Sequence, residues 1–487
     1  MAAKRRQAWR ISGLGFALAL NLLASGCSTI ERQGVVEPVD VTPAPPPPKP
    51  QVADTAERKK LIAMYGGAYR WPRAEGYLNE VLARLARSSD TPSQPYRVTL
   101  LNSGVVNAFA LPSGDLFVTR GLLALANDTS EIAAVMAHEI GHVTARHAFL
   151  RAEQEKTAEV ITRAASVIQS RQKTEQVETT SALSLASFSR QQEMEADRIG
   201  IKAAARAGYD PFGASRFLNA LQRAADLRNE ITGQKNDRPD LMSTHPSTPE
   251  RIAAALAEAR QIGAPGIGEA ARGAYLAAID GMAYGDDPKD GVIDGRRFIH
   301  PRLGFSFEAP EGFALENSQA AVLGVANGGA EALRLDSVRA PADKSLRDYL
   351  TSGWIDGLLP SSIETGQVNG LPAVFADARA GEWNFRVAVI GYRDDLYRII
   401  FAVKALTPEA RQTFAASIGS FRPLAPEEAR LATPLRLRIV AARPGDTVAT
   451  LVAKMATGDH ALEQFQTLNG LDDAGVAPGE SYKIVAH

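Results

Sequence analysis

The pentapeptide His138-Glu139-Ile140-Gly141-His142 closes an apolar run, and that placement restricts the fold more than any other feature of the chain. Ser130 to Ala137 leads in with apolar residues at helical spacing, and Asp128 stands three before Glu131, as a capping box would. The stretch reads as a helix with one buried face. Positions i and i+4 of a helix share a face about one turn apart, so His138 and His142 can hold one metal ion together. Glu139, beside the first histidine, can reach a water on that metal and act as its general base. Zinc suits such a task, because it lowers the pKa of water towards ~7 and polarises a carbonyl, which peptide hydrolysis at neutral pH requires.

The third ligand decides the class of centre. A metzincin pattern needs glycine at 145 and histidine at 148, but Ala145 and Ala148 stand there. His147 is a poor substitute, because five residues beyond His142 it has rotated well off the ligand face. A carboxylate on a later helix is therefore expected, and Ser189 to Gly200 supplies candidates. Glu193 and Asp197 are i and i+4 on one face, while Glu195 projects from nearly the opposite side. Glu193 is read as the metal ligand and Asp197 as acceptor of a hydrogen bond from a ligand histidine, fixing its tautomer and orientation.

HExxH followed after some fifty residues by ExxxD resembles the gluzincin family of HExxH zinc metalloproteases that includes the CAAX prenyl endopeptidases, the HtpX heat-shock proteases and the BepA-type periplasmic enzymes. Asn107 to Asp115 and His245-Pro246-Ser247-Thr248-Pro249-Glu250-Arg251-Ile252 match the soluble members, and the resemblance covers roughly residues 55 to 265. It implies a mainly α-helical zincin-type domain with a small β-sheet. It also implies one Zn²⁺ per chain on His138, His142 and Glu193, with Glu139 as catalytic base. Asp197, His245 and Arg251 are then supporting or regulatory residues. In relatives of this type a histidine in the matching His-Pro segment can occupy the open zinc position. His245 is read either as such a latch, or as a transition-state contact or helix cap.

Val105 to Ala110 has strand composition, Pro112-Ser113-Gly114-Asp115 has turn chemistry, and Leu116 to Thr119 returns. An exposed edge beside the metal can add a substrate peptide as another strand, which tolerates many sequences. Asn107 is read as touching the substrate backbone or the oxyanion, or as a polar residue that merely flanks the turn.

Met1 to Arg10 carries Lys4, Arg5, Arg6 and Arg10, and Ile11 to Ala24 is largely apolar, the shape of a secretory signal. Leu23-Ala24-Ser25-Gly26-Cys27 ends in the chain's single cysteine. It resembles a bacterial lipobox, with Ala24 where leucine is commoner. Residues 1–27 are read as a lipoprotein signal with Cys27 acylated, and Ser28 after it favours the outer membrane. Residues 28–54 form a proline-rich linker in extended polyproline II.

At 487 residues the chain is long enough for two to three domains. The protease domain is placed at 55–282, a linker at 283–295, an α+β domain at 296–425 and a further module at 435–487. Residues 285–291 suggest a calcium loop only superficially, because Pro288 and Arg297 stand at ligand positions. Strands are expected near 304–307, 385–389 and 397–401, and helices at 345–350 and 408–420. Residues 435–487 resemble a lysin-motif (LysM) module of β-α-α-β order, either glycan-binding or LysM-like in fold alone. Net charge is −1 and no basic patch stands out, so nucleic acid is not an expected partner. The combined expectation is an envelope zinc metalloendopeptidase, a periplasm-facing outer-membrane lipoprotein, for which the resemblance implies quality control of misfolded or unassembled envelope or outer-membrane proteins. Its partners are protein substrates, the membrane through the lipid anchor, and peptidoglycan through the tail. The alternatives are a peptidoglycan-associated chaperone or scaffold with weak or latent protease activity, or a hydrolase of peptidoglycan cross-links.

Overall fold

The computed structural model describes residues 55–151, 188–232, 241–318, 320–425, 427–428, 433–458, 460–471 and 475–487. The signal-like segment, Cys27 and the proline-rich stretch 28–54 lie outside the described residues.

Helices α1 (Ala56–Met64) and α2 (Pro72–Ser88) precede a small sheet of β1 (Arg97–Leu101), β2 (Ala108–Ala110) and β3 (Asp115–Thr119). The order is β1-β3-β2, with β1 parallel and β2 antiparallel to the central β3, so β2 is an edge. It begins at Ala108, three residues later than Val105. Then come α3 (Arg120–Leu125), α4 (Thr129–Thr144), α5 (Arg190–Arg206), α6 (Gly213–Thr232), α7 (Leu241–Thr244), α8 (Pro249–Ile262) and α9 (Arg272–Ile279).

Helix α4 carries the histidine pair and lies within the main hydrophobic core. Asp128 caps it by accepting the Glu131 N–H at 3.0 Å, which stabilises the helix start by about 1 kcal/mol. The reciprocal half of the expected capping box is displaced by one residue: Glu131 Oε2 accepts the Asn127 N–H at 2.8 Å. Every residue from Thr129 to His142 is buried, so the expectation of a single buried face is corrected. Alanines and Gly141 leave α4 slim enough for neighbours to enclose it. A Cβ on Gly141 would sit 2.9 Å from Ala196 O, and one on Gly200 would sit 2.8 Å from His138 N. These glycines let α4 and α5 touch backbone to backbone, which brings the acidic face of α5 onto the histidines.

Residues 283–295, read as a linker, carry β4 (Ala283–Tyr284), a 3₁₀ turn at Pro288–Asp290 and β5 (Val292–Asp294). The Asp287 carboxylate accepts the Lys289 N–H at 3.0 Å and the Asn102 Nδ2–H at 2.6 Å, so it serves the turn. A four-stranded sheet follows, built from β5, β6 (Arg297–His300), β7 (Phe305–Glu308) and β15 (Arg422–Pro423), in the order β15-β7-β6-β5. Strands β8 (Ala314–Asn317), β9 (Val322–Ala326), β10 (Glu331–Arg339), β11 (Glu364–Val368), β12 (Leu371–Ala380), β13 (Trp383–Tyr392) and β14 (Asp395–Val403) make a seven-stranded antiparallel sheet. Its order is β11-β12-β13-β14-β10-β9-β8. Helices α10 (Leu346–Leu350) and α11 (Pro408–Gly419) complete an α+β arrangement. Phe414 of α11 stacks on Phe401 of β14 with ring centroids 4.3 Å apart.

His300 of this unit makes a pH-dependent contribution that can be read out. It is 6% exposed, near the rings of Phe298 and Phe305, and its Nδ1 accepts the Leu303 N–H at 3.3 Å. Burial, aided by Arg302, pushes its pKa from 6.5 down to about 4. The unfolded chain therefore takes up the proton first. The contribution is complete above pH 6.5 and is lost as pH falls from 6.5 towards 4. Between pH 7.5 and 4.5 the native protein should lose about 2–3 kcal/mol more unfolding free energy than His300→Gln. Denaturant titrations of both proteins at the two pH values check this. Parallel pH dependence would remove His300 as the cause.

The C-terminal segment folds as β16 (Leu435–Ala441), α12 (Val448–Val452), α13 (Ala461–Asn469) and β17 (Ser481–Ala486). The β-α-α-β order expected at 435–487 is thus observed, with β16 and β17 paired antiparallel. The other edge of β16 pairs with β4, Leu435 opposite Tyr284. Among the described residues no helix is long and apolar enough to cross a membrane.

Candidate metal centre

His138 and His142 project from α4 one turn apart, and their Nε2 atoms lie 3.0 Å from each other. Glu193 comes from the first turn of α5, where Ser189 and Gln192 form a complete capping box. Its Oε1 is 3.4 Å from His142 Nε2 and its Oε2 is 3.5 Å from His138 Nε2. His245 follows α7, and its Nδ1 lies 2.9 Å from Glu193 Oε1 and 3.2 Å from His138 Nε2. One ligand atom from each of these four buried residues lies within 4.8 Å of all the others.

The donor set fits a metal. Ligands held at ~2.0–2.1 Å in a tetrahedron are ~3.3 Å from one another, close to the separations above. Imidazole nitrogens facing each other at that range repel unless a proton or a cation lies between them.

Surrounding residues orient the cluster. Asp197, one turn after Glu193, places Oδ1 2.8 Å from His138 Nδ1. Arg251 donates to both oxygens of Asp197 at 2.8 Å, and its Nη1 lies 2.8 Å from Glu193 Oε2. One guanidinium thus aligns both carboxylates on α5. Glu195 is on the other side of α5, half-exposed, 3.5 Å from His147 Nε2. His147 is outside the four-residue cluster, but its Nδ1 lies 2.9 Å from His142 Nδ1 and so sets the orientation of that ring. Phe188 stacks on the His142 ring at 4.0 Å. His147 and Phe188 belong to the site and were not anticipated as such.

Glu139 is 3% exposed, and its Oε1 lies 3.7 Å from His245 Nε2. Burial pushes its pKa up, only partly offset by His245 and His138. A carboxylate raised in this way is a better proton acceptor at neutral pH. Burial would lower His138, but Asp197 and Glu193 outweigh it and hold this ring at about 10. Burial would raise both carboxylates on α5. Instead His245, His138 and His142 hold Glu193 far below the carboxylate range, while His138 and Arg251 hold Asp197 at about 2. His142 lies well below the imidazole range because it is buried beside two other histidines. The centre is thus arranged to hold positive charge between its ligand atoms.

Asn107 is 1% exposed, directly before the edge strand, and its Nδ2 donates to the Tyr65 hydroxyl at 2.9 Å. Leu241, at the start of α7, donates its N–H to Val106 O at 3.0 Å. A small cavity beside His138, Glu139 and His245 is walled by Val135, Phe217, Leu218 and Leu221.

Comparison with known proteins agrees with this geometry. The sequence model described as Peptidase family M48 matches residues 72–259, which include all four cluster residues. The chain is similar to the beta-barrel assembly-enhancing protease of Escherichia coli (strain K12), 29% identical over 216 residues, covering 42% of this chain and 43% of that protein. It is 32% identical over 198 residues to the mitochondrial metalloendopeptidase OMA1 of Arabidopsis thaliana, covering 37% of each. With OMA1 of Schizosaccharomyces pombe (strain 972 / ATCC 24843) it shares 33% identity over 181 residues, 36% of this chain and 50% of that one. The chain spans half or less of the length of these relatives. A histidine pair and a carboxylate on packed helices, within the segment that the family model matches, identify residues 72–259 as a Peptidase family M48 domain.

Proposed function

We propose that the chain is a zinc-dependent metalloendopeptidase. The observation that carries the reading is the buried Glu139 carboxylate beside the His138, His142, Glu193 and His245 cluster. Binding a metal needs no such base; hydrolysis does. His138, His142 and Glu193 would hold the ion, and zinc when bound would polarise the scissile carbonyl and make water a competent nucleophile near pH 7. Glu139 takes the proton of the attacking water and returns it to the leaving amine. Asp197, through His138 Nδ1, and His147, through His142 Nδ1, keep the other ring nitrogens directed at the ion. Arg251, its Nη1 2.8 Å from Glu193 Oε2, holds that carboxylate in place. The β2 edge is the candidate docking strand for the substrate backbone. Metal analysis together with chelator-sensitive cleavage of an unfolded protein such as casein tests the reading. Chelator-resistant cleavage would overturn it, and so would metal-loaded protein that cleaves no peptide either as the native chain or as His245→Ala.

In this reading His245 would act as a further ligand and keep the enzyme latent, because hydrolysis needs a ligand position open to water. Its Nδ1 already faces Glu193 and His138. His245→Ala should raise the turnover of a short peptide by ~10-fold or more at unchanged metal content, as expected when an enzyme populates its competent state more fully. Unchanged or lower turnover would instead make His245 a transition-state contact.

The proposed setting is the bacterial cell envelope, in quality control of misfolded or unassembled outer-membrane proteins. The printed name of the Escherichia coli relative and the lipobox-like segment ending at Cys27 support it. The LysM-like tail would add attachment to peptidoglycan, and its β-α-α-β order supports that. Cys27→Ser should move the full chain from the membrane to the soluble fraction, because an acyl chain contributes ~0.8 kcal/mol per buried CH₂ to anchoring. Wild-type protein should sediment with purified peptidoglycan. Unchanged fractionation would end the lipoprotein claim, and absence of co-sedimentation would end the glycan claim.

A further inference from the structure

We propose that the C-terminal β-α-α-β unit is a working part of the catalytic body, and that Lys483 is the positioning residue through which it sets the helix bearing His138, Glu139 and His142. The proposal rests on the hydrolytic reading above.

Strand β17 alternates its side chains between two cores. Tyr482 and Ile484 pack with Leu451 and Phe465 inside the C-terminal unit. Val485 faces the other way and, with Leu437 of β16 and Leu468 of α13, belongs to the main core of the catalytic unit, the one containing Ile132, Met136 and Ile140 of α4. A module tethered only by its linker would expose that second face to water. Here Leu437 and Val485 are fully buried.

Lys483 lies on this inward face and its side chain is fully buried. Its ammonium donates to Ala124 O at 2.7 Å, Leu125 O at 3.2 Å and Ala126 O at 2.8 Å. These carbonyls end α3, where a helix has acceptors without intrahelical partners and carries partial negative charge. Asn469 fixes the lysine backbone from both sides, accepting its N–H at 2.7 Å and donating to its carbonyl at 2.9 Å. A second tie runs through Arg272, which donates to Ser481 O at 3.1 Å and to Asn127 O at 2.9 Å.

Both ties grip the short turn from α3 into α4. Asn127 precedes the cap Asp128, and its N–H is held by Glu131 of the first helical turn. From that cap to His138 the helix runs about 15 Å as a rod. A shift at the turn is therefore carried to the metal ligands and the base. Displacements of ~1 Å in a reacting constellation cost on the order of 10²-fold in rate. The C-terminal unit thus acts as a wedge that fixes where α4 starts.

Two variants of the full chain test this. In Lys483→Met, kcat for a peptide should fall about 10–100-fold while KM stays within about twofold, because substrate contacts are untouched. The visible spectrum of the Co²⁺-substituted protein should change with it, a readout that does not need turnover. In the second variant a specific protease site replaces residues 429–432. After cutting, the C-terminal fragment should co-elute with the remainder on gel filtration, and kcat should be retained. A folded Lys483→Met protein with wild-type kcat and Co²⁺ spectrum overturns the positioning role. A cut fragment that leaves while kcat persists overturns the integration of the two units. If the wild type cleaves nothing, the hydrolytic reading fails, while co-elution and the Co²⁺ spectrum still decide the proposal.

Discussion

Glu139→Gln is expected to bind metal as the wild type does and to lose ~10²–10⁴-fold in peptide hydrolysis. Glutamine fills the same volume, so the buried position on α4 beside His245 is not disturbed. Its amide cannot take a proton from water, and it is this proton that must move as water attacks. Burial raises the native carboxylate, so the wild type carries a base strong enough to accept that proton. Metal content by mass spectrometry and cleavage of casein or of the chain itself, measured on one preparation, separate the two properties. Wild-type cleavage by the variant would remove Glu139 from the chemistry.

The histidine pair and Glu139 are legible in the sequence because their relation is local: a helix places i and i+4 together wherever it packs. Glu193 is legible for the same reason. It shares a helical face with Asp197, and that face needs an electropositive partner if it is to be buried. What stays hidden are relations that depend on where a helix stops. Measured along a continuing helix, His147 turns away from His142. In the structure α4 ends at Thr144, and Arg146 adopts a left-handed φ of 56°. The chain folds back and brings His147 Nδ1 to 2.9 Å from His142 Nδ1. Arg251 is likewise set by tertiary packing, since α8 must lie against α5 before one guanidinium can reach both Glu193 and Asp197.

Longer-range consequences were less visible still. Alternation along Ser481 to Ala486 marks a strand but does not say which of its faces meets a second core. The burial of Lys483 follows only from the docking of β16 onto β4 and of β17 onto α3. Asn107 shows the opposite case. Its place before the edge strand was legible, but its side chain turns inward to the Tyr65 hydroxyl, because α1 packs over that end of the sheet.

The two glutamates of α5 should part company under substitution. Glu193→Ala removes a carboxylate whose two oxygens sit 2.9–3.5 Å from three imidazole nitrogens. Loss of an outer partner of a metal ligand typically costs ~10–100-fold in affinity, so loss of the ligand itself should exceed ~100-fold and leave the purified protein metal-free. Arg251 keeps Asp197 as its partner, so the variant is not left with an unpaired buried cation, and the fold should survive. Glu193→Gln, which keeps the shape and loses the charge, should fall between the two. Glu195→Ala should retain metal at one equivalent, because Glu195 is half-exposed and lies against His147, at 3.5 Å, and outside the four-residue cluster. Metal titration of the three variants, with circular dichroism to confirm folding, decides the matter. Retention by Glu193→Ala with loss by Glu195→Ala would mean that the face of α5 turned to the histidines is not the one carrying Glu193 and Asp197, and the ligand set would have to be rebuilt around Glu195.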